Sequence, residues 1–402
     1  MTGVRRKIDA SKAKAARIGV GSFAVLRGHR SSAASFAVGL ALVAAACGGS
    51  TPSSPGFPAA SPAAAPATPP VDLSLPWVPA APGEVGMDDQ VLATATAQAA
   101  AIPRLRSLLV ARHGRLVLEQ YFGGARVDTL FDVRSVTKTV VGALTGIAIR
   151  DAVLPGLDVS IAGYLEPAYH VFDSERAITL RQLATMSSGF EWDENLGPDF
   201  DLWIASADHV QFLLDRPQAH APGSFFTYNT AGPHTLGVIL QRAVSQPLPQ
   251  YAADRLFGPL GIDTVVWQPL DRGTVNGGAG IQLRGRDLLK LGQLYLQGGA
   301  SGTRGVVPGT WVDETTRPRF TWRESLGAQS RITYGTLWWV SDASPTAYFA
   351  WGYGGQFIYV VPSRDLVVVA TTDWARLSGT APHDLAAQVM TVIVTGLLAA
   401  AR

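Results

Sequence analysis

Ser135 and Lys138 stand three residues apart in Ser135-Val136-Thr137-Lys138, a spacing that puts a hydroxyl and an amine on one face of a helix. Side chains so spaced have Cβ atoms roughly 5–6 Å apart, so the amine reaches the hydroxyl. A serine attacks a carbonyl only when a neighbouring base takes its proton, and lysine is such a base once burial brings its pKa toward neutrality. Composition singles out Lys138. Of 33 Lys and Arg residues only five are lysines, at positions 7, 12, 14, 138 and 290. The chain therefore makes its positive surface with guanidinium, which does not deprotonate, while keeping a titratable amine inside an apolar helical stretch. Lys290 has no serine three residues before it and reads as a helix-surface residue.

The elements that must hold this pair follow from hydrophobic periodicity. Ser107–Tyr121 is rich in Leu and Val around His113-Gly114 and predicts a β-hairpin. Thr137–Arg150 carries Val140, Val141, Leu144, Ile147 and Ala148 at helical spacing, which puts Ser135 at a helix start. Residues 158–275 hold helix-like stretches at Thr179–Met186, His209–Leu214 and Thr235–Ala243, separated by Pro and Gly. Beyond them Arg284–Gln297 is helical, and Thr333–Val340, Thr346–Trp351, Gln356–Pro362 and Leu366–Thr372 are aromatic or β-branched runs of strand type. His383–Leu398 closes the chain as an apolar helix. Strands early and late with helices between them predict an α/β (α+β) fold: one antiparallel sheet built from both ends of the domain, flanked by helices, with a helical lobe inserted.

At these residues the chain resembles the penicillin-binding and serine β-lactamase-type hydrolases, including class C β-lactamases, D-alanyl-D-alanine peptidases, esterases and the nylon-oligomer (6-aminohexanoate) hydrolases. Phe131–Thr139 looks like their first motif, Leu183–Phe190 like a segment of their helical lobe, Pro222-Gly223 with Phe226–Thr230 like the second motif, and Trp351–Pro362 like the third with its strand. The likeness runs in order from about Leu108 to Val369, and its fold agrees with the one read from periodicity.

Carried over by position, the resemblance makes Ser135 the acylated nucleophile, Lys138 its activating amine, and Tyr228 the phenol that shares protons with the lysine and passes one to the leaving group. Thr230 occupies the position of the family's second-motif asparagine, and Asn229 falls one residue early. Tyr353-Gly354-Gly355 stands where peptidoglycan- and penicillin-directed enzymes carry K-T-G or H-T-G, so the cation for a substrate carboxylate is missing there while glycines for close strand approach remain. The resemblance also implies that the backbone N–H of Gln356 joins that of Ser135 as an oxyanion hole. Trp192 and Trp351 flank these motifs and are expected to line an apolar cleft.

Several functions are excluded or disfavoured. The formal net charge is +2, and no block of Lys or Arg is interleaved with aromatics, so no nucleic-acid partner is expected. Cys47 is the only cysteine, and the seven histidines are scattered, so no disulfide, metal or other cofactor is expected. Without G-x-S-x-G the chain is not an α/β-hydrolase.

Residues 1–47 read as a leader. Positive charge at 27–30, the apolar run Ala34–Ala46 and the small residues around Cys47 have the parts of a secretory signal, and the stretch resembles a bacterial lipobox in which Cys47 is lipidated, making the membrane a partner through a lipid anchor. Residues 48–75, nearly all Ser, Pro, Ala, Thr and Gly up to about 70, are expected to be a tether, and 76–402 a serine hydrolase domain with its helical lobe at about 158–275.

The resulting expectation is an exported serine hydrolase, a cell-membrane lipoprotein facing outward or periplasmic, acting on small-molecule carboxylic esters or uncharged amides. A D-alanyl-D-alanine peptidase or β-lactamase is the alternative of the same chemistry. A non-catalytic protein on the same scaffold is the alternative of another class.

Overall fold

One edge of the main sheet is a hairpin of two strands, β1 (Leu105–Arg112) and β2 (Arg115–Tyr121), joined by His113 and Gly114, both at positive φ of 51° and 69°. A two-residue turn of that kind matches the right-handed twist of paired strands. The computed structural model describes residues 69–322 and 325–401. The leader, Cys47 and the tether up to residue 68 lie outside the described residues.

Six later strands complete the sheet: β3 (Phe320–Thr321), β4 (Ile332–Tyr334), β5 (Trp339–Ser341), β6 (Ala347–Gly352), β7 (Gln356–Val361) and β8 (Leu366–Thr372). Their order is β2-β1-β8-β7-β6-β5-β4-β3, antiparallel throughout, so the first hairpin pairs with the last strand through Leu109↔Val369 and its neighbours. The sheet built from both ends is as expected. The run Thr333–Val340 differs from expectation: it is two strands, because Leu337 at φ 62° turns the chain between β4 and β5.

Five longer helices are α1 (Asp89–Ala100), α2 (Thr137–Arg150), α3 (Ala231–Val244), α4 (Gly285–Leu296) and α5 (Ala381–Val392). Every residue of β7 and β8 is buried, which accounts for their unbroken apolar sequence. Helix α4 packs on this part of the sheet, and α2, buried from Thr137 to Ala148, packs against α3 of the lobe. Shorter helices at Leu180–Ala184, Asp199–Ile204 and His209–Leu214 fill out the lobe.

Two sequence expectations are corrected here. Packing begins at Val71, ahead of Pro76: Val71 N–H donates to Gln297 Oε1 at 3.2 Å, Leu73 N–H donates to Ser301 Oγ at 2.8 Å, and Leu73 is buried. Leu73 lies in the core and Val71 packs against it, so the last residues of the expected tether are docked. Lys290 is a buried residue of α4, not a surface one. Its ammonium caps the end of the 3-10 helix Gly258–Leu260 by donating to Leu260 O at 2.8 Å, and burial lowers its pKa.

The closest approach of α4 to the sheet is at Gly292, where an added Cβ would lie 2.5 Å from Val367 Cγ1 and 2.7 Å from Ile358 Cγ2. Alanine is the better helix former by about 1 kcal/mol, but overpacking a filled core costs roughly 1–3 kcal/mol. Gly292→Ala is therefore expected to lower the unfolding free energy in denaturant titration, and an increase would show that α4 has room to stand off.

Candidate active site

The segment bearing the nucleophile is pinned before the helix begins. Short strand Phe131–Asp132 pairs with Ile281–Leu283, and a 3-10 turn at Arg134–Val136 then leads into α2. Asp132 Oδ1 accepts the Arg134 N–H at 3.0 Å, Val133 O accepts the Val136 N–H at 3.1 Å, and Thr137 Oγ1 both donates to Arg134 O and accepts from the Ile281 N–H. Arg134 is held at φ 49°, a left-handed conformation that costs a side-chain-bearing residue energy and is kept where function demands a shape. Between these satisfied neighbours the Ser135 N–H has no acceptor among the described residues.

Lys138 lies one turn along, only 2% exposed, with Nζ 2.8 Å from Ser135 Oγ, 3.1 Å from Thr230 Oγ1 and 2.8 Å from Gly278 O. The carbonyl approaches this closely because Gly278 has no side chain: a Cβ there would sit 2.4 Å from Thr230 Cγ2. Burial pushes the Lys138 amine down to about 7, with Arg134 helping and Glu194 opposing. At neutral pH much of it is the free amine. Two N–H bonds to Gly278 O and Thr230 Oγ1 then leave its lone pair for the Ser135 hydroxyl.

Tyr228 completes the group: the Ser135 hydroxyl is close enough to its phenol to act against the rise in its pKa. Its ring stacks on Trp339 with centroids 5.7 Å apart, and Lys138 Nζ is 5.1 Å from the ring centroid. Burial, followed by the charge of Glu194, raises the Tyr228 pKa well above the usual phenol range, so Tyr228 is a neutral proton donor rather than a phenolate base. The fold thus brings Ser135, Lys138 and Tyr228 together.

Glu194 was not singled out in the sequence. Its carboxylate accepts from Thr230 N–H at 2.6 Å, from Thr230 Oγ1 at 2.8 Å and from Trp192 Nε1 at 2.9 Å. Burial raises its pKa and the charge of Lys138 partly offsets that. Glu194 lies just after the Leu183–Phe190 motif, but one acidic residue in a stretch with Glu191 and Asp193 carries no distinguishing signal in a single sequence.

Other expected site residues fall into different roles. Asn229 is not aimed at substrate: its Oδ1 accepts the Gly232 N–H at 2.7 Å and its Nδ2 donates to Thr227 O at 2.9 Å, fixing the entry to α3. Thr230 likewise does not offer a free hydroxyl, since it accepts from Lys138 and donates to Glu194. Trp192 lines a cleft of about 350 Å³ together with Phe190, Phe226, Tyr228, His220 and Trp322. Trp351 sits behind that cleft, with ring centroids 5.5 Å from Trp322 and 5.6 Å from Trp339.

The third motif is a tight turn between β6 and β7. Gly355 N–H donates to Gly352 O at 3.0 Å, and Gly354 and Gly355 have φ of 78° and 100°, values that favour glycine. The turn lies against the nucleophile segment: a Cβ on Gly352 would come 2.2 Å from Val133 O. Gln356 braces it from below, donating through Nε2 to Thr372 Oγ1 at 2.7 Å, while Thr372 Oγ1 donates to Gly354 O at 2.7 Å. Gln356 itself is paired with Gly352 in the ladder, whereas the N–H groups of Tyr353 and Gly354 have no acceptor among the described residues. Tyr353 is 42% exposed, and its hydroxyl donates to Leu377 O at 3.3 Å.

Comparison with known proteins agrees with this geometry. Residues 94–389 match the Beta-lactamase family. The 6-aminohexanoate-dimer hydrolase of Paenarthrobacter ureafaciens is 23% identical over 289 residues, covering 67% of this chain and 72% of that protein. Among solved structures, EstCE1, a hydrolase with promiscuous acyltransferase activity, superposes with a TM-score of 0.60 at 19% identity, covering 75% of this chain and 99% of its own. A penicillin binding protein from Bacillus halodurans gives a TM-score of 0.60 at 17% identity over 75% and 99%. With its fold, its Ser135–Lys138–Tyr228 group and a family match across most of its length, the chain belongs to the Beta-lactamase family of serine hydrolases.

Proposed function

We propose that this serine hydrolase forms an acyl-enzyme on Ser135 and acts on carboxylic esters, and on amides whose leaving group carries no charge. The observation that carries the reading is Lys138 Nζ, buried 2.8 Å from Ser135 Oγ with its pKa brought down to about 7. The free amine takes the Ser135 proton as Oγ attacks the carbonyl. The N–H of Ser135 and one from the third-motif turn receive the oxyanion, and we assign the second donor to Tyr353 rather than Gln356 because its N–H is uncommitted. Tyr228 then protonates the leaving oxygen or nitrogen and is itself reprotonated from Lys138. Water enters along the reverse path to release the acid.

The substrate class follows from the walls around Tyr228, where the leaving group must lie to receive its proton. They include Phe190, Trp192, Phe226 and Trp322 together with Glu191, Asp193 and His220, and hold no Lys or Arg. A D-alanyl-D-alanine peptidase or β-lactamase substrate brings a leaving-group carboxylate to that cleft and meets Glu191 and Asp193 there, with no Lys or Arg in the lining. A non-catalytic binding role leaves the shared contacts of Ser135, Lys138 and Tyr228 without a reason. Sequence alone supports the cellular part of the proposal, export and a lipid anchor on Cys47.

Three outcomes are expected. Ser135→Ala removes p-nitrophenyl ester turnover and fluorophosphonate labelling, read by intact mass, while Lys138→Arg lowers kcat by roughly a thousandfold or more, since guanidinium cannot take the proton. Retained turnover in either variant contradicts the assignment. A p-nitrophenyl ester is hydrolysed with higher kcat/KM than nitrocefin, because a missing charge-assisted hydrogen bond costs about 1.5–3 kcal/mol, or one to two decades; a preference for nitrocefin reverses the reading. Glu194→Gln removes the negative charge that holds the Lys138 pKa up, so the rising limb of kcat/KM, set by loss of the Lys138 proton near pH 7, moves to lower pH. A limb that stays in place would reduce Glu194 to a structural bond to Thr230.

A further inference from the structure

The residue immediately before the nucleophile is an arginine without an anion. The Arg134 guanidinium has five N–H donors, and none meets an acceptor among the described residues, nor does any carboxylate there lie within 4.0 Å of it. Its Nε is buried and unpaired. A buried donor left without a partner costs folding energy, and such a group calls for an explanation.

Aromatic rings hold the side chain in place. Arg134 Cζ lies 4.4 Å from the Trp374 ring centroid, 5.5 Å from that of Phe200 and 6.0 Å from that of Tyr353. Stacking engages the flat faces of a guanidinium and leaves its edge, with the in-plane N–H fork, free for a carboxylate. These rings come from different parts of the fold: Phe200 from the lobe helix Asp199–Ile204, Tyr353 from the third-motif turn, Trp374 from just beyond β8. The guanidinium is therefore set where lobe and sheet meet beside Ser135, and φ 49° at Arg134 is part of what sets it there.

Arg134, Phe200, Tyr353 and Trp374 are all absent from the lining of the cleft at Tyr228. The leaving group occupies the Tyr228 side, so a group reaching Arg134 belongs to the acyl part. We propose that Arg134 binds a carboxylate on the acyl portion of the substrate, making half-esters and half-amides of dicarboxylic acids the preferred class. This rests on the hydrolase reading above and deepens it: the third motif carries no cation of its own, and the guanidinium beside its Tyr353 ring supplies one.

Binding to the full chain carrying Ser135→Ala tests this apart from turnover. Calorimetric titration compares the monoethyl esters of succinate, glutarate and adipate with ethyl butanoate, ethyl pentanoate and ethyl hexanoate. At least one half-ester is expected to bind roughly ten- to hundredfold more tightly than its neutral counterpart, the range of a charge-assisted fork. Adding Arg134→Gln is expected to abolish that preference, and Arg134→Lys to keep part of it. The preference is a ratio within one variant and so does not depend on how much of that variant folds. Equal or undetectable binding of every half-ester, or a preference that survives Arg134→Gln, overturns the proposal. Failure of the wild type to turn over any ester overturns the hydrolase reading instead, and the binding ratio is read independently of it.

Discussion

The structure depends on the burial of one amine. Lys138 is removed from water and given three oxygen partners, Ser135 Oγ, Thr230 Oγ1 and Gly278 O. Removing an ammonium from water disfavours its charged form, which is what makes a base available at neutral pH. Glu194 stands against this. Its charge favours the protonated lysine, while its own burial favours the neutral acid, so each group restrains the other's titration. Thr230 mediates between them, accepting from the amine and donating to the carboxylate.

That arrangement explains much of the architecture. The partners of Lys138 come from the head of α2, the head of α3 and the loop before Ile281, segments separated by 92 and 140 residues along the chain. Helix α2 must be buried nearly all round to carry the amine inward, and it is packed against α3 so that Thr230 arrives beside it. The short sheet of Phe131–Asp132, Ile281–Leu283 and Val266–Trp267 ties the nucleophile turn to the Gly278 loop. The large sheet contributes from the other side, pressing the β6–β7 turn against Val133, two residues before the nucleophile.

Local signals were legible in the sequence and spatial ones were not. The span of α2, the first hairpin, and strand β8 could be read almost to the residue, since each is a periodic or uniformly apolar run bounded by turn residues. Ser135 and Lys138 could be read because reactive residue types fell at a helical spacing, and Tyr228 through the resemblance of Phe226–Thr230 to the family's second motif. Asn229 and Thr230 illustrate the limit: their identities were plain, yet whether an amide faces substrate or caps α3 is decided by a backbone turn of three residues. Glu194 and Arg134 were hidden for the same reason. A carboxylate and a guanidinium carry no meaning until the fold shows one tied to Thr230 and the other stacked on Trp374 with no anion. Lys290 was misread because a helix pattern says nothing about another helix end, here that at Leu260 O, packed over it.

A neutral-pH amine at Lys138 is the claim on which the account rests, and it can be observed without substrate. With five lysines in the chain, lysine-selective 13Cε/15Nζ labelling gives a small set of signals, and the one lost in Lys138→Met identifies the residue. The account predicts that this signal titrates with a midpoint near pH 7. A midpoint above 10, in the range of a solvated lysine, would contradict it and leave Ser135 without its base.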